Sequence, residues 1–249
     1  MFADIYDANA EIHHAQADSL LYVHLARPLA AALAGLPGPV LDVAGGTGAL
    51  GKLVGASVTL DISARQLRHH PAPHRIRGDA ERLPFRSDSF GVAGCSFGIN
   101  HFPDPVAAVR EMARVAPVVG LLTWRRPDPR PYLPRVVLES LAQSGANPVA
   151  RVAEELGIRT GSVDAVRGLL ADAGLSPQVR EVAVDVPWPG PERFVDYRLN
   201  LTLVPPKARD EVRRRAVAEI AALDPAALRW RPRLILGLGR RSSSVILTG

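Results

Sequence analysis

The chain has 249 residues, of which 47% are hydrophobic and 22% are charged, and this balance excludes a fibrous or intrinsically disordered protein. A single cysteine, Cys95, excludes a disulfide framework and a cysteine-based zinc cluster. The net charge of +5 comes from scattered arginines that do not alternate with aromatic residues as in a single-strand binder. We interpret this charge as solvated surface and do not expect nucleic acid as a partner.

The first residues, MFADIYD, are acidic where a secretory signal would be basic. The most apolar region, residues 29–54, is interrupted by Gly35, Pro37, Gly38 and Pro39, so no membrane span is predicted. We expect a soluble, cytoplasmic protein, either a monomer or a homodimer.

Residues 1–124 predict alternating helices and strands. An Ala- and Leu-rich helix is expected over 15–33. Buried strands are predicted at PVLDVA (39–44), SVTLDI (57–62), FGVAGCSFGI (90–99) and VVGLLTW (118–124), and a weaker one at HRIRGD (74–79). Helices are expected at 48–55, at 64–70 after the capping residue Ser63, and after Asp104-Pro105, which pairs an N-cap with a first-turn proline.

Beyond Trp124 the pattern becomes less regular. A proline-rich segment, RRPDPRPYLPR, leads into a helical stretch expected to end near Leu156, and Ser162 is expected to cap a helix over 163–174. QVREVAVDVPW (178–188) predicts a strand, residues 192–228 a helical block, and RLILGLG (233–239) a late strand. Strand–helix alternation implies an α/β fold with a mostly parallel sheet and right-handed crossovers.

A glycine-rich turn follows the first predicted strand. Residues 46–51, GTGALG, spell G-x-G-x-x-G, which is typical of dinucleotide-binding turns but does not identify the ligand. Asp42 lies just before the glycines and would repel a pyrophosphate, whereas it would favour an amino group. Asp61 ends the second strand, where a carboxylate accepts hydrogen bonds from ribose hydroxyls. Asp79 follows the third strand and is placed to receive an exocyclic amine.

From about Val40 to Arg114 the chain resembles the class I S-adenosylmethionine-dependent methyltransferases, in the branch of the ubiquinone/menaquinone-type small-molecule enzymes. LDVAGGTGAL is similar to the first motif of that family, with Ala44 in place of its first glycine. VTLDIS is similar to the second motif, and residues 78–115 to the third and fourth. The usual LRPGG before the fifth strand is absent and VAPVVG stands there.

The resemblance implies a Rossmann-like, doubly wound, mostly parallel seven-stranded sheet with an antiparallel last strand and helical lid insertions. The whole chain, 1–249, would form a single methyltransferase domain. Residues 1–36 would be an N-terminal helical lid, 37–124 the cofactor-binding core, and 125–249 the last strands with inserted substrate-binding helices. The cofactor would be S-adenosylmethionine.

The resemblance also assigns residues to parts of that cofactor. The methionine part would lie among residues of the first motif, and the ribose and adenine beside residues that follow the second and third strands. The sulfonium end would lie beside two residues after the fourth strand. In chain order these cofactor-binding residues are Asp42, Ala44, Gly45, Gly46, Gly48, Asp61, Ile62, Asp79, Ala80, Ser96 and Phe97.

Three histidines are candidate catalytic residues, because an oxygen or nitrogen acceptor that starts protonated needs a proton acceptor. YDANAEIHHA resembles the YDxxAxxYD lid segment of the family, with His13 and His14 at its second tyrosine and aspartate. His101 follows the fourth strand at a position where histidine is common in the family. Solvent-exposed or structural roles remain alternatives for all three. No metal site is expected.

The expected acceptor is a hydrophobic small molecule, methylated on oxygen or carbon rather than nitrogen, in natural-product or quinone-like metabolism. Leu138, Phe194, Tyr197, Leu201 and Leu203 suggest an apolar pocket for it, although they could equally pack the lid. Three other readings stay open. They are use of the sulfonium for cyclisation or rearrangement without transfer, RNA or protein methylation, and NAD-dependent oxidation based on the glycine pattern alone.

Overall fold

The computed structural model describes Asp4, Tyr6, Asp7, Ala10 and His14, which are helical, and residues 21–127, 134–144, 159–200 and 206–241. One seven-stranded sheet organises this part of the chain. Its strands are β1 (Val40–Val43), β2 (Val58–Asp61), β3 (His74–Arg77), β4 (Val92–Ser96), β5 (Val118–Trp124), β6 (Leu175–Ala183) and β7 (Arg233–Arg241).

The strand order is β3-β2-β1-β4-β5-β7-β6. Neighbouring strands from β3 to β5 are parallel, and β7 is antiparallel to both β5 and β6. The chain therefore winds outward from β1 to β3, returns to β4 on the other side of β1 and winds outward again, so a crevice forms between the carboxyl ends of β1 and β4. The prediction of a doubly wound, mostly parallel seven-stranded sheet with an antiparallel last strand is confirmed.

Helices cover both faces of the sheet. They are α1 (Tyr22–Leu33), α2 (Ala49–Val54), α3 (Ala64–Leu67), α4 (Pro105–Val115), α5 (Arg135–Ser144), α6 (Val163–Asp172), α7 (Pro191–Asn200) and α8 (Pro206–Ala221). Two short 3₁₀ turns lie at Ile99–His101 and Pro225–Leu228. Within the described ranges, no helix is both long and apolar enough to cross a bilayer.

Alternating side chains along the strands build a hydrophobic core on each face. On β5, Val119 and Leu121 pack with Met112 of α4 and with α6, while Val118 and Leu122 pack with α1 and α2. Strands that are covered on both faces have continuous apolar sequences, and the central strands could therefore be located from the sequence. A third cluster joins α5, α7 and α8 through residues such as Val137, Val195 and Ala216.

Capping residues predicted the starts of three helices correctly, whereas α1 begins at Tyr22 rather than at residue 15, with Leu21 as its N-cap. The side chains of the three predicted caps, Ser63, Asp104 and Ser162, each accept a hydrogen bond from the backbone N–H three residues on. The sixth strand begins at Leu175 rather than 178, because Gly174, at φ 76°, turns the end of α6 directly into it. The helical block predicted over 192–228 contains two helices, with residues 201–205 outside the described ranges.

Replacing Leu121 by Ala should lower the free energy of unfolding by about 2–5 kcal/mol, because the fully buried side chain leaves a cavity under α4. Leu53→Ala on α2 is the matched control, since Leu53 is 38% exposed, and it should cost about 0.5 kcal/mol or less. Urea denaturation measures both. Equal losses would contradict the placement of the core.

Candidate functional site

A cavity of about 260 Å³ opens at the carboxyl ends of β1, β2 and β4. This is the crevice at the point where the strand order reverses between β1 and β4, where doubly wound sheets hold their ligands. Ten of the eleven residues predicted to bind the cofactor line it, namely Asp42, Ala44, Gly45, Gly46, Asp61, Ile62, Asp79, Ala80, Ser96 and Phe97. Gly48 does not line it, because it packs against Pro71 beneath the turn.

Asp42 is a buried carboxylate at the floor of the cavity, with 1% of its surface exposed. Its Oδ2 lies 3.1 Å from Nε2 of His70, which is also buried. Its Oδ1 has no hydrogen-bond partner among the described residues. Because an unpaired buried carboxylate oxygen is costly, this atom is a ready acceptor for a cationic or hydrogen-bond-donating ligand group.

Asp61 ties the end of β2 to the glycine turn. Its Oδ2 accepts a hydrogen bond from Gly46 N–H and its Oδ1 one from Ser63 N–H, both at 2.8 Å. Burial raises the pKa of Asp61, and the nearby Asp42 charge raises it further, while the two N–H donors oppose the shift. Each oxygen retains a second lone pair that can accept a hydroxyl.

Two non-glycine residues that line the cavity adopt left-handed backbone conformations. Ala44, at φ 53°, occupies the position where the family pattern has glycine, and Phe97, at φ 61°, follows β4. A Cβ on Gly98 would lie 2.5 Å from the Cβ of Ala44, so the two turns pack closely. A left-handed conformation is strained for a residue other than glycine, and it persists where the surrounding packing holds the backbone in place. Strained residues of this kind concentrate at functional sites.

The adenine-side candidates lie at the rim. Asp79 is exposed, and its Oδ1 accepts a hydrogen bond from Glu81 N–H at 2.9 Å. Ile62 is 42% exposed beside it on the cavity wall. An exposed isoleucine next to a carboxylate offers an apolar face and a polar edge, the two features that a purine ring can use.

Aromatic rings surround the other end of the cavity. Tyr22 packs edge-on against Phe97, with ring centroids 5.7 Å apart, and Phe97 lies 4.7 Å from Trp124. The hydroxyl of Ser96 is buried here without a hydrogen-bond partner in the described part of the chain. This end is therefore apolar, with one polar atom left for a ligand.

The N-terminal segment reaches the cavity through Tyr6, which lines it and packs edge-on against His101. Asp7 fixes this position, because its Oδ1 accepts hydrogen bonds from Ser63 Oγ and from Arg65 N–H. These bonds lower the pKa of Asp7, whereas burial and nearby negative charge raise the pKa of Tyr6. At neutral pH the phenol of Tyr6 is therefore protonated, and the carboxyl group of Asp7, which anchors this segment, is ionised.

The candidate catalytic histidines separate in space. His101 lines the cavity, and its Nε2 lies 3.0 Å from Nδ2 of Asn100. His14 stacks on His69 with centroids 4.0 Å apart and does not line the cavity. His13 lies outside the described residues. Two of the residues predicted to form an apolar acceptor pocket, Leu201 and Leu203, also lie outside the described residues. Phe194 is buried in the cluster that joins α5, α7 and α8.

Sequence reasoning missed several residues at the site, of which three matter most for its chemistry. Tyr6 and Tyr22 line the cavity, and His70 holds Asp42 from below. The lid resemblance begins at Tyr6 and could have singled it out. His70 and Asp42 are 28 positions apart, and no sequence pattern predicts that they are in contact. Within the described ranges, no group of His, Cys, Asp and Glu side chains could hold a metal ion.

Fold and cavity together define a doubly wound α/β protein with a ligand crevice at the switch between β1 and β4. Residues 41–123, from β1 to β5, match the family described as a methyltransferase domain. This match overlaps the segment from about Val40 to Arg114 for which the sequence predicted a class I S-adenosylmethionine-dependent methyltransferase.

Curated relatives include the demethylmenaquinone methyltransferases of Corynebacterium kroppenstedtii, 40% identical over 91 residues, and of Mycobacterium sp. strain KMS, 40% identical over 104 residues. These matches cover 34% and 39% of this chain and 39% and 45% of the relatives. The chain therefore spans less than half the length of either relative.

Solved structures share the fold at low sequence identity. A SAM-dependent methyltransferase from Thermotoga maritima superposes with a TM-score of 0.55 over 96% of both chains, at 14% identity. The YcgJ protein of Bacillus subtilis gives 0.54 over 88% of this chain and 97% of its own, at 18% identity. These likenesses confirm the architecture.

Replacing Ala44 by Gly should raise the free energy of unfolding by up to about 1 kcal/mol. The left-handed conformation costs alanine about 1–2 kcal/mol, which exceeds the roughly 0.4–1 kcal/mol of unfolded-state entropy that glycine adds. Ala107→Gly in α4 is the control, and it should instead lose about 1 kcal/mol. Urea denaturation tests this, and a destabilised Ala44→Gly protein would contradict it.

Proposed function

We propose that this chain transfers a methyl group from S-adenosylmethionine to a hydrophobic small molecule. The observation that carries the proposal is the convergence of Asp42, Asp61 and Asp79 from three successive strand ends on one cavity, with the buried Oδ1 of Asp42 left unpaired there. The methyltransferase-domain match over residues 41–123 supports it.

The residues present fit the cofactor. Asp42 Oδ1 would accept the ammonium group of the methionine part, beside Ala44, Gly45 and Gly46. Asp61 would accept the ribose hydroxyls with its remaining lone pairs, a task suited to an ionised carboxylate.

The adenine ring and the sulfonium group of the cofactor would lie at opposite ends of the cavity. Ile62 would cover a face of the adenine, with Asp79 and Ala80 at its edge. Ser96 and Phe97 would lie at the sulfonium end, where the buried hydroxyl of Ser96 lacks a partner in the described chain.

When bound, this cofactor supplies a methyl carbon that is already electrophilic, so the protein has to align an acceptor and exclude water. Tyr6, Tyr22 and Phe97 enclose the cavity and can do both. Their ring faces also favour a nearby cation. The Asp7 anchor holds the phenol of Tyr6 in this enclosure.

We propose that His101 accepts the proton that the acceptor loses on methylation. It lines the cavity next to Tyr6, and Asn100 holds its ring orientation. An imidazole titrates near neutral pH and can accept a proton from a hydroxyl or an activated carbon. The position of His14, stacked on His69, does not support a direct role for it.

The acceptor that we propose carries a planar aromatic or quinol-type ring, methylated on carbon or oxygen. Phe97 lines the cavity and packs against Trp124, which stacks on Trp230 with ring centroids 5.9 Å apart, so the aromatic face of the cavity is backed by two further rings. The relatives named as demethylmenaquinone methyltransferases support a quinol-type ring. We further propose residues 1–36 as the lid, 37–124 as the cofactor-binding core and 125–249 as the acceptor side of a single domain.

Incubation with S-adenosylmethionine and a panel of naphthols and naphthoquinols should yield products heavier by one methylene, together with S-adenosylhomocysteine. Mass spectrometry detects both. A product of altered retention and unchanged mass would indicate rearrangement instead. Methylated RNA, formed in a salt-sensitive manner, would indicate a nucleic-acid substrate. Either outcome would overturn the proposed substrate class.

Replacing Asp61 by Asn should weaken S-adenosylhomocysteine binding by about tenfold to a hundredfold, because a neutral amide bonds ribose hydroxyls less strongly than a carboxylate. Asp172→Asn at the exposed end of α6 is the control and should bind normally. Isothermal titration calorimetry measures both. Unchanged affinity in the Asp61 variant would show that the ribose lies elsewhere.

A further inference from the structure

His70 is buried beneath the glycine turn with a defined proton position. Its Nδ1 accepts a hydrogen bond from Ala72 N–H at 3.0 Å. A nitrogen that accepts an N–H carries no proton of its own, so the neutral ring is protonated on Nε2. That atom lies 3.1 Å from Asp42 Oδ2 and therefore donates to it.

The glycine turn is shaped around this histidine. A Cβ on Gly51 would lie 2.5 Å from Cε1 of His70, and one on Gly48 would lie 2.3 Å from Cδ of Pro71. Neither glycine lines the cavity. The last two glycines of the G-x-G-x-x-G pattern thus make room for the His70-Pro71 segment rather than for a ligand.

We propose that His70 is a positioning residue for the cofactor's amino-acid part, acting through Asp42. This inference rests on the proposed function, since it takes the ligand of Asp42 to be an ammonium group. The ring holds Oδ2 of Asp42 on one side and leaves Oδ1 for the ligand on the other. His70 itself contacts no ligand and is not among the residues that line the cavity.

Asp42 is 1% exposed, and its Oδ1 has no hydrogen-bond partner among the described residues. Loss of the His70 donor would leave its Oδ2 without a side-chain partner as well. Such a group either takes up a proton or rotates toward another donor, because a bare buried charge is unfavourable. Either response removes a fixed negative charge from the place of the ammonium. The adenosine end lies at the neighbouring strands β2 and β3, where Asp61 and Asp79 keep their hydrogen bonds from backbone N–H groups.

Two ligands separate this role from a general structural one. S-adenosylhomocysteine carries the ammonium group, whereas 5′-methylthioadenosine has the same nucleoside and thioether without the amino acid. His70→Leu removes the donor, His70→Gln offers an amide N–H in its place, and His74→Gln alters an exposed histidine on β3 as the control. Calorimetry measures the affinity of each variant for both ligands, and thermal denaturation checks folding.

His70→Leu should bind S-adenosylhomocysteine about tenfold to a hundredfold more weakly, the loss expected for a hydrogen bond to a charged group, and should bind methylthioadenosine as the wild type does. His70→Gln should recover part of the loss, and His74→Gln should show none. Equal loss of both ligands, or unchanged binding of both, would overturn the positioning role. A wild-type protein that binds neither ligand would overturn the proposed function, and this inference with it.

Discussion

A carboxylate buried at the end of a central strand is the constraint on which the site depends. Asp42 leaves β1 with almost no exposed surface, so each of its oxygens requires a partner. His70 meets one requirement from within the fold, and the other is directed at the cavity. The unpaired oxygen is costly in the free protein, and a cationic or hydrogen-bond-donating ligand group at this atom would relieve that cost.

The turns on either side of this carboxylate are held away from relaxed backbone geometry. Ala44 and Phe97 both have positive φ, at the carboxyl ends of the adjacent strands β1 and β4. Packing fixes each of them, Ala44 against Gly98 and Phe97 between Tyr22 and Trp124. The crevice is consequently preformed, and its walls need little rearrangement when a ligand enters.

The sequence predicted the central strands β1, β2, β4 and β5 well because they are short, buried on both faces and bounded by capping residues and glycines. Asp42, Asp61 and Asp79 could be placed at one edge because parallel strands bring their carboxyl ends together. Tertiary contacts could not be predicted in the same way. The bond between Asp42 and His70, the packing of His14 on His69, and the approach of Tyr6 through Asp7 all join segments with no shared local signal. The literal motif also extends beyond the cavity, since Gly48 matches the pattern but packs against Pro71 and does not line the cavity.

Charge favours one of the two ligand classes that the glycine pattern left open. Burial raises the pKa of Asp61 and the nearby Asp42 charge raises it further, so negative charge is already unfavourable at this place. A pyrophosphate would bring further negative charge into this buried space, where Coulomb repulsion is weakly screened. The ammonium group that we propose for Asp42 would instead relieve the repulsion. The same two acids that disfavour a dinucleotide therefore favour a nucleoside that carries an amino acid.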